Sequence, residues 1–236
     1  DWAVLADVRN LTGNALLDDG LGQAFRISLE QSSYVNVLSD MKTRDTLTRM
    51  LLPENSPVDR ERAIQIAVRD GARVVLEPSI REVHGRLRVS VDVIDPEGGQ
   101  AVYSVHADGN GIGSVLASTD EVVSRLRGHL GEALADVKRA SSPLPQVATS
   151  NLDALHVYAA AQAAYGKGDI RHSLEFYEVA TRMDPLFAMA YLGQMRSCAS
   201  LGQLEEARAR LAIAEGLRHR LSAREALYMD AWKQDL

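Results

Sequence analysis

Cysteine is almost absent from this 236-residue chain: only Cys198 is present. One thiol excludes an internal disulfide framework and any cysteine-based zinc site. Long apolar runs are missing too. No window approaches the roughly 18 uninterrupted apolar residues that a spanning helix needs. The N-terminus has no basic n-region, apolar h-region or small-residue cleavage site. A basic excess is also lacking. The chain carries 32 acidic and 26 basic residues, net −6, with a pI near 5.5. That balance argues against a nucleic-acid binder, which usually shows a basic stripe. The catalytic signatures are missing as well: there is no G-x-S-x-G, no H-E-x-x-H and no Walker lysine. What remains is an ordinary globular composition, 46% hydrophobic and 25% charged, enough to bury a sizeable core. The chain opens at Asp1 directly into strand-like sequence, and 222–236 open like a helix and stop. It reads as a piece of a longer protein.

Ser141-Ser-Pro-Leu-Pro145 marks a punctuation point. We expect a domain over 1–140, a linker over 141–150 and a second domain over 151–236. The texture changes there. Residues 1–150 hold 21 acidic and 16 basic groups, residues 151–236 hold 11 and 10, and only the first part shows strand-type segments. Strands are expected at 2–8, 34–38, 73–83, 87–94 and 101–106. Val89, Val91 and Val93 alternate with Ser90 and Asp92, the period of a half-buried strand. Asp95-Pro-Glu-Gly-Gly99 and His84-Gly85 carry turn chemistry. Helices are expected at 18–32, from Ser39 or Asp40 to about 52, over 58–70 with Gly71 as its C′ residue, and over 111–139. The order β-α-β-α-α-β-β-β-α predicts a mixed-sheet α/β domain.

The second part repeats. Gly168 and Gly202 are 34 residues apart, as are Ala180 and Ala214, Val157 and Tyr191, and Tyr177 and Leu211. Each glycine falls between two helical segments, and Asp184-Pro185 ends the first unit. On these residues the stretch resembles the tetratricopeptide repeat (TPR), an all-α solenoid of 34-residue helical hairpins. The units would be 151–184, 185–218 and the start of a third at 222–236, opened by the capping box Ser222-Ala-Arg-Glu225. Val157, Ser173 and His219 depart from the usual aromatic, alanine and proline. Small residues let antiparallel helices approach closely, and stacked units share a core.

The first part resembles the α/β domain related to the N-terminal domain of TolB. The residues that carry this are Asn10-Leu-Thr-Gly13, Gly20-Leu21, Leu29-Glu-Gln-Ser32, Val37-Leu-Ser-Asp40, Leu76-Glu-Pro-Ser-Ile80, Val93-Ile-Asp95 and Gly99. Leu126–Gly131, Pro143-Leu144 and Ser150–Tyr158 look like the join to the repeats in such proteins. Pro78 and Tyr103 depart from the family's usual glycine and tryptophan. The resemblance implies the extracytoplasmic, periplasmic arm of a bacterial inner-membrane signalling protein. The output arm in that group is an adenylate or guanylate cyclase, a winged-helix regulator or a Ser/Thr kinase. It implies a non-catalytic module, without metal or cofactor, that binds a protein or peptide and works as a homodimer. The rivals are a cytoplasmic TPR scaffold and a small-molecule sensor.

Carried over from the repeat family, the docking groove would be lined by Leu155, Tyr158, Gln162, Tyr165, Met189, Leu192 and Arg196. The small-molecule alternative would use Asn10–Gly13 with Gly109-Asn-Gly-Ile-Gly113, a strand-to-helix turn that can aim N–H groups at an anion. We read that turn as structural. The six histidines are scattered, and His156 with His172 makes a poor metal pair. Asp18-Asp19 suits the start of the first helix. Glu205-Glu206 points apart on a helix. Cys198 reads as an inert buried thiol. Arg208, Arg210, Arg218, Arg220 and Arg224 read as a solvated face.

Overall fold

The valine alternation of 89–93 turns one face of a strand inward and leaves Ser90 and Asp92 on the other, and this pattern organises the first half of the chain. The computed structural model describes residues 2–53 and 56–236, without the Asp19 side chain. The reading of Asp19 as a favourable charge, and the 53–57 break at Glu54 and Asn55, therefore lie outside the described residues. The chain divides into two compact units, 1–141 and 142–236.

The first unit is a mixed α/β unit. Its strands are β1 (Trp2–Leu5), β2 (Arg9–Asn10), β3 (Asn36–Val37), β4 (Val74–Val83), β5 (Arg86–Ile94) and β6 (Ala101–Gly109). Its helices are α1 (Asp19–Leu29), α2 (Asp40–Arg49), α3 (Arg60–Asp70), α4 (Val115–His129) and α5 (Leu134–Ala140). The sheet order is β3-β1-β4-β5-β6, with β2 following β1 along the same side of β4. β1, β3 and β2 run parallel to their partners, while β4-β5-β6 is an antiparallel meander. Pro78 lies between the stretch of β4 that pairs β1 and the stretch that pairs β2. Leu76 and Ile80 turn their carbonyls to that side. The N–H that proline lacks faces the gap, where no strand asks for it.

One sheet face is apolar: Leu76, Ile80, Val89, Val91, Val93, Val105 and Ala107 are buried. α4 packs over β5 and β6, with α1 beside it. On the other face, Val4, Ala6, Val75 and Ile94 join Leu47, Ile66 and Ala67 of α2 and α3 in a core. Beyond α3 the same face turns polar, with Glu77 opposite Asp92 and Ser79 opposite Ser90. His84 (φ +51°) and Gly85 (φ +74°) form the β4–β5 turn, both in the left-handed region that two-residue hairpins require. Gly71 ends α3 in the same conformation (φ +68°).

One expectation is corrected. The helix expected over 111–139 is two helices, α4 and α5. α4 ends at His129, and Gly131 (φ +101°) redirects the chain. Within 141–150 lies a helical turn, α6 (Leu144–Val147), and Leu144, Val147, Ala148 and Thr149 are buried.

The second unit is helical: α6, then α7 (Leu152–Gly166), α8 (Ile170–Met183), α9 (Ala188–Ser200), α10 (Leu204–Gly216) and α11 (Ala223–Asp235). α7 and α8 form one hairpin, α9 and α10 a second, and α8 also packs on α9. Gly168 (φ +78°) and Gly202 (φ +76°) supply the two hairpin turns. Asn151, Asp169 and Ser222 cap α7, α8 and α11 through their side chains. Ala180, Ala207 and Ala214 are fully buried at the helix contacts. Gly193 of α9 lies against Tyr177 of α8, and a β-carbon there would overlap the phenol ring. No helix is long and apolar enough to cross a membrane among the described residues.

Candidate functional site

α7, α9 and α11 each follow a turn or cap that sets their register, and they place one arginine among tyrosines. The Arg196 guanidinium carbon stands 3.8 Å from the centre of the Tyr165 ring, a cation–π contact. Its Nη2 donates to Gln162 Oε1 at 2.8 Å and to the Tyr177 hydroxyl at 3.1 Å. Gln162 Nε2 donates in turn to the Tyr158 hydroxyl at 2.7 Å. The Tyr165 hydroxyl shares a hydrogen bond of 2.9 Å with Ser200. Gln162 and Arg196 are themselves 34 residues apart, so equivalent positions of the two hairpins meet side by side.

The electrostatics of this cluster are unusual for a half-buried cation. Burial opposes the Arg196 charge, and its neighbours Tyr177, Tyr228, Tyr158 and Tyr165 are phenols, which carry charge only at strongly alkaline pH. Among the described residues no carboxylate lies within ion-pair distance of it, and its buried Nε–H has no acceptor. Burial pushes the Tyr177 hydroxyl up to about 12 and raises Tyr158 well above the usual phenol range. Both stay protonated at neutral pH and can donate. Glu225 of α11 acts on Tyr158 and is engaged by the Ser222 hydroxyl.

Of the seven residues expected to line a groove, Leu155, Tyr158, Met189 and Leu192 are buried. They support the face from beneath rather than present it. Tyr158 rests on Tyr177 and Phe187, with centroids 5.5 and 4.9 Å away. Gln162, Tyr165 and Arg196 are partly exposed and converge. Sequence reasoning missed Tyr177, Ser200 and Tyr228 as members. Tyr177 comes from a second helix, and only packing brings it to Arg196. The place of Tyr228 on the first helix after the second hairpin was the one available signal.

The other candidates fall apart or close on themselves. Asn10–Gly13 and Gly109–Gly113 do not meet: β4 and β5 separate them, which puts them about 14 Å apart across the sheet. Asn10 instead donates to Asp18 and to the Asn14 carbonyl. Gly109 is required because Ser114 occupies the space of a β-carbon, and the Ser114 hydroxyl closes on the Gly111 carbonyl. His156 and His172 stand at opposite ends of their hairpin, about 12 Å apart along its axis. Among the described residues no three His, Cys, Asp or Glu side chains gather as metal ligands. Arg208, Arg210 and Arg218 pair with Glu205, Glu178 and Asp230. Cys198 is buried, and burial raises its thiol pKa.

A fully buried arginine sits in the first unit. Arg127 (1% exposed) donates through Nε and Nη2 to both oxygens of Glu132, at 2.8 and 2.6 Å. Its Nη1 donates to Ser141, and Ser32 donates to Glu132 at 2.6 Å. The Arg127 guanidinium holds the Glu132 carboxyl below its usual range against the burial that would raise it.

No protein-family profile and no curated protein matches this sequence. Among solved structures the chain is similar to the LpoB C-terminal domain from Escherichia coli, with 20% identity, 46% of this chain and 82% of that one covered, and a TM-score of 0.42. It is similar to PelC from Paraburkholderia phytofirmans, a dodecamer, with 16% identity, coverage of 56% and 88%, and a TM-score of 0.35. It is also similar to lipoprotein GNA1162 from Neisseria meningitidis, with 12% identity, coverage of 54% and 98%, and a TM-score of 0.33. Likenesses of this size assign no function, and the reading of the site rests on its own chemistry.

Proposed function

We propose that the chain is a non-catalytic interaction module, in which a tetratricopeptide-type helical unit docks an extended protein segment on the face shared by α7, α9 and α11. The observation that carries this is the convergence of Tyr165, Arg196 and Tyr228 from three first helices. Tyrosine and arginine over a packed floor are the residues that dominate docking energetics elsewhere. The 34-residue spacing of the Gly168 and Gly202 turns supports the repeat reading. The setting, an extracytoplasmic arm of a membrane-anchored bacterial signalling protein, rests on the resemblance of the first 150 residues.

Site-specific photo-crosslinking in the producing cell tests the docking face. A photoreactive phenylalanine analogue would replace Tyr165 or Tyr228, with Phe176 and Ile213, exposed on the second helices, as controls. Adducts to one protein, concentrated at the first pair, are expected. Adducts equally strong at Phe176 and Ile213, or none at Tyr165 and Tyr228, would sink the reading.

A further inference from the structure

We propose that Asn110 is a self-modifying site: its side-chain amide closes on the backbone nitrogen of Gly111 as a succinimide, which water opens to aspartate or isoaspartate. The inference is independent of the docking reading, since it concerns the turn between β6 and α4 in the other unit. Two observations carry it. The first is the freedom of the attacking nitrogen. Asn110 is followed by glycine, whereas Asn10, Asn14, Asn36 and Asn151 are followed by Leu11, Ala15, Val37 and Leu152. A side chain on the following residue crowds that nitrogen, and glycine has none. A β-carbon built at Gly111 (φ +65°) would meet no atom within 4 Å, so nothing else crowds it either. The second is that nothing holds the reacting groups apart. Asn110 and Gly111 are exposed. Among the described residues the Asn110 side chain makes no hydrogen bond and the Gly111 N–H donates none. The contrast is with Asn10, which donates to Asp18 and the Asn14 carbonyl, and with Asn14 and Asn151, which accept from the N–H groups of Leu16 and Ala154.

The reaction balances with water as its only co-reactant. The Gly111 nitrogen loses its proton and bonds to Asn110 Cγ, and the bond from Cγ to the side-chain nitrogen breaks as ammonia leaves. Water then opens the ring. Cleavage at Cγ gives aspartate with the main chain unaltered. Cleavage at the main-chain carbonyl gives isoaspartate, in which the chain runs through Cβ and Cγ and is one carbon longer. Ser114 tells the two products apart. It fills the space of a β-carbon at Gly109, and its N–H and hydroxyl both donate to the Gly111 carbonyl, at 3.2 and 2.7 Å. The chain from Gly109 to Gly111 is thereby closed on Ser114, directly ahead of α4. Aspartate keeps that closure, and isoaspartate opens it.

The test follows the full chain at mildly alkaline pH, where deprotonation of the attacking nitrogen speeds ring closure. A synthetic peptide of residues 107–115 runs beside it as the clock. Peptide mapping by mass spectrometry measures the amide left at each asparagine, and isoaspartyl methyltransferase labels isoaspartate. Asn110 should lose its amide within about tenfold of the peptide's rate, a barrier raised by no more than about 1.4 kcal/mol. Asn10, Asn14, Asn36 and Asn151 should keep theirs. The folded chain should gain one negative charge on ion exchange, and Asn110→Gln, at an exposed side chain without partners, should not. An amide that persists at Asn110 after the peptide has fully converted overturns the proposal. So does equal loss at Asn36, which is exposed but followed by a branched side chain. The isoaspartyl form, separated by chromatography, should melt below the aspartyl form; equal melting overturns the role given to Ser114. The mapping needs no substitution, so a variant that misfolds does not decide the result.

Discussion

Arg127 and Arg196 are both drawn out of water, fully and in part, and they are satisfied in opposite ways. Arg127 in the α/β unit meets Glu132 through two parallel bonds and has Ser141 on its third nitrogen. Arg196 in the helical unit meets an amide, a phenol hydroxyl and a phenol ring, with no carboxylate. The first arrangement is closed: charge and lone pairs are answered within the unit, and nothing is left to recruit. The second is open. Burial alone therefore does not mark a functional arginine; what matters is whether its charge has already been spent at home.

The comparison can be broken most sharply at Glu132. Glu132→Ala leaves Arg127 buried and unpaired, which should cost about 3–5 kcal/mol in chemical denaturation. The double change Arg127→Met with Glu132→Leu should recover most of that, because no orphan charge remains. A loss in the double variant as large as in Glu132→Ala would mean that the pair does more than neutralise itself.

Next in size is Gly193→Ala. Its β-carbon would push the Tyr177 ring away from Arg196 and Tyr158, and overpacking of this kind costs about 1–3 kcal/mol. Thermal unfolding followed by tyrosine fluorescence would report it. An unchanged midpoint would show that α8 and α9 can separate freely.

The third contrast is pH. Glu132 has a lowered folded pKa, so its stabilisation is present above the unfolded carboxyl value and is lost as pH falls through the folded one. Urea midpoints measured downward from pH 6 should fall through the carboxylate range, and Glu132→Gln should flatten that part of the slope. The phenols of the Arg196 cluster do not titrate there, since Tyr177 ionises only near 12. Arg196→Gln should therefore leave the acid limb unchanged.

Smallest is the expected effect of Arg196→Gln on stability itself, under about 1 kcal/mol, the scale of a partly exposed cation–π contact or one net hydrogen bond. A loss near that of Glu132→Ala would make Arg196 a structural arginine and erase the contrast.

Legibility in the sequence followed the range of the interactions. β5 was readable from Val89, Val91 and Val93 because alternation is a property of neighbours. The Asp95 turn was readable because its carboxylate bonds Glu97 and Gly98 locally. The break between α4 and α5 was not read: the apolar pattern continues through it, and Gly131 alone signals the change. The repeat resemblance put Leu155, Tyr158, Met189 and Leu192 on one face, but a resemblance does not say whether that face meets solvent or another helix, and these four are buried. The Arg127–Glu132 pair, five residues apart, was not read because its partners meet only after Gly131 turns the chain at the end of α4, and Ser32, 100 residues from Glu132, completes it.

By itself, then, the sequence determined the local periods: two-residue alternation in the sheet, a 34-residue recurrence in the helical unit, and the glycines that turn the chain. Only the tertiary structure decided which charges are answered. Pairing depends on distance in space, and a guanidinium reaches a few ångströms regardless of how far apart in the chain its partners lie. That is why Arg127 is closed by Glu132 and Ser141, whereas Arg196, among tyrosines from three other helices, still has an N–H to offer.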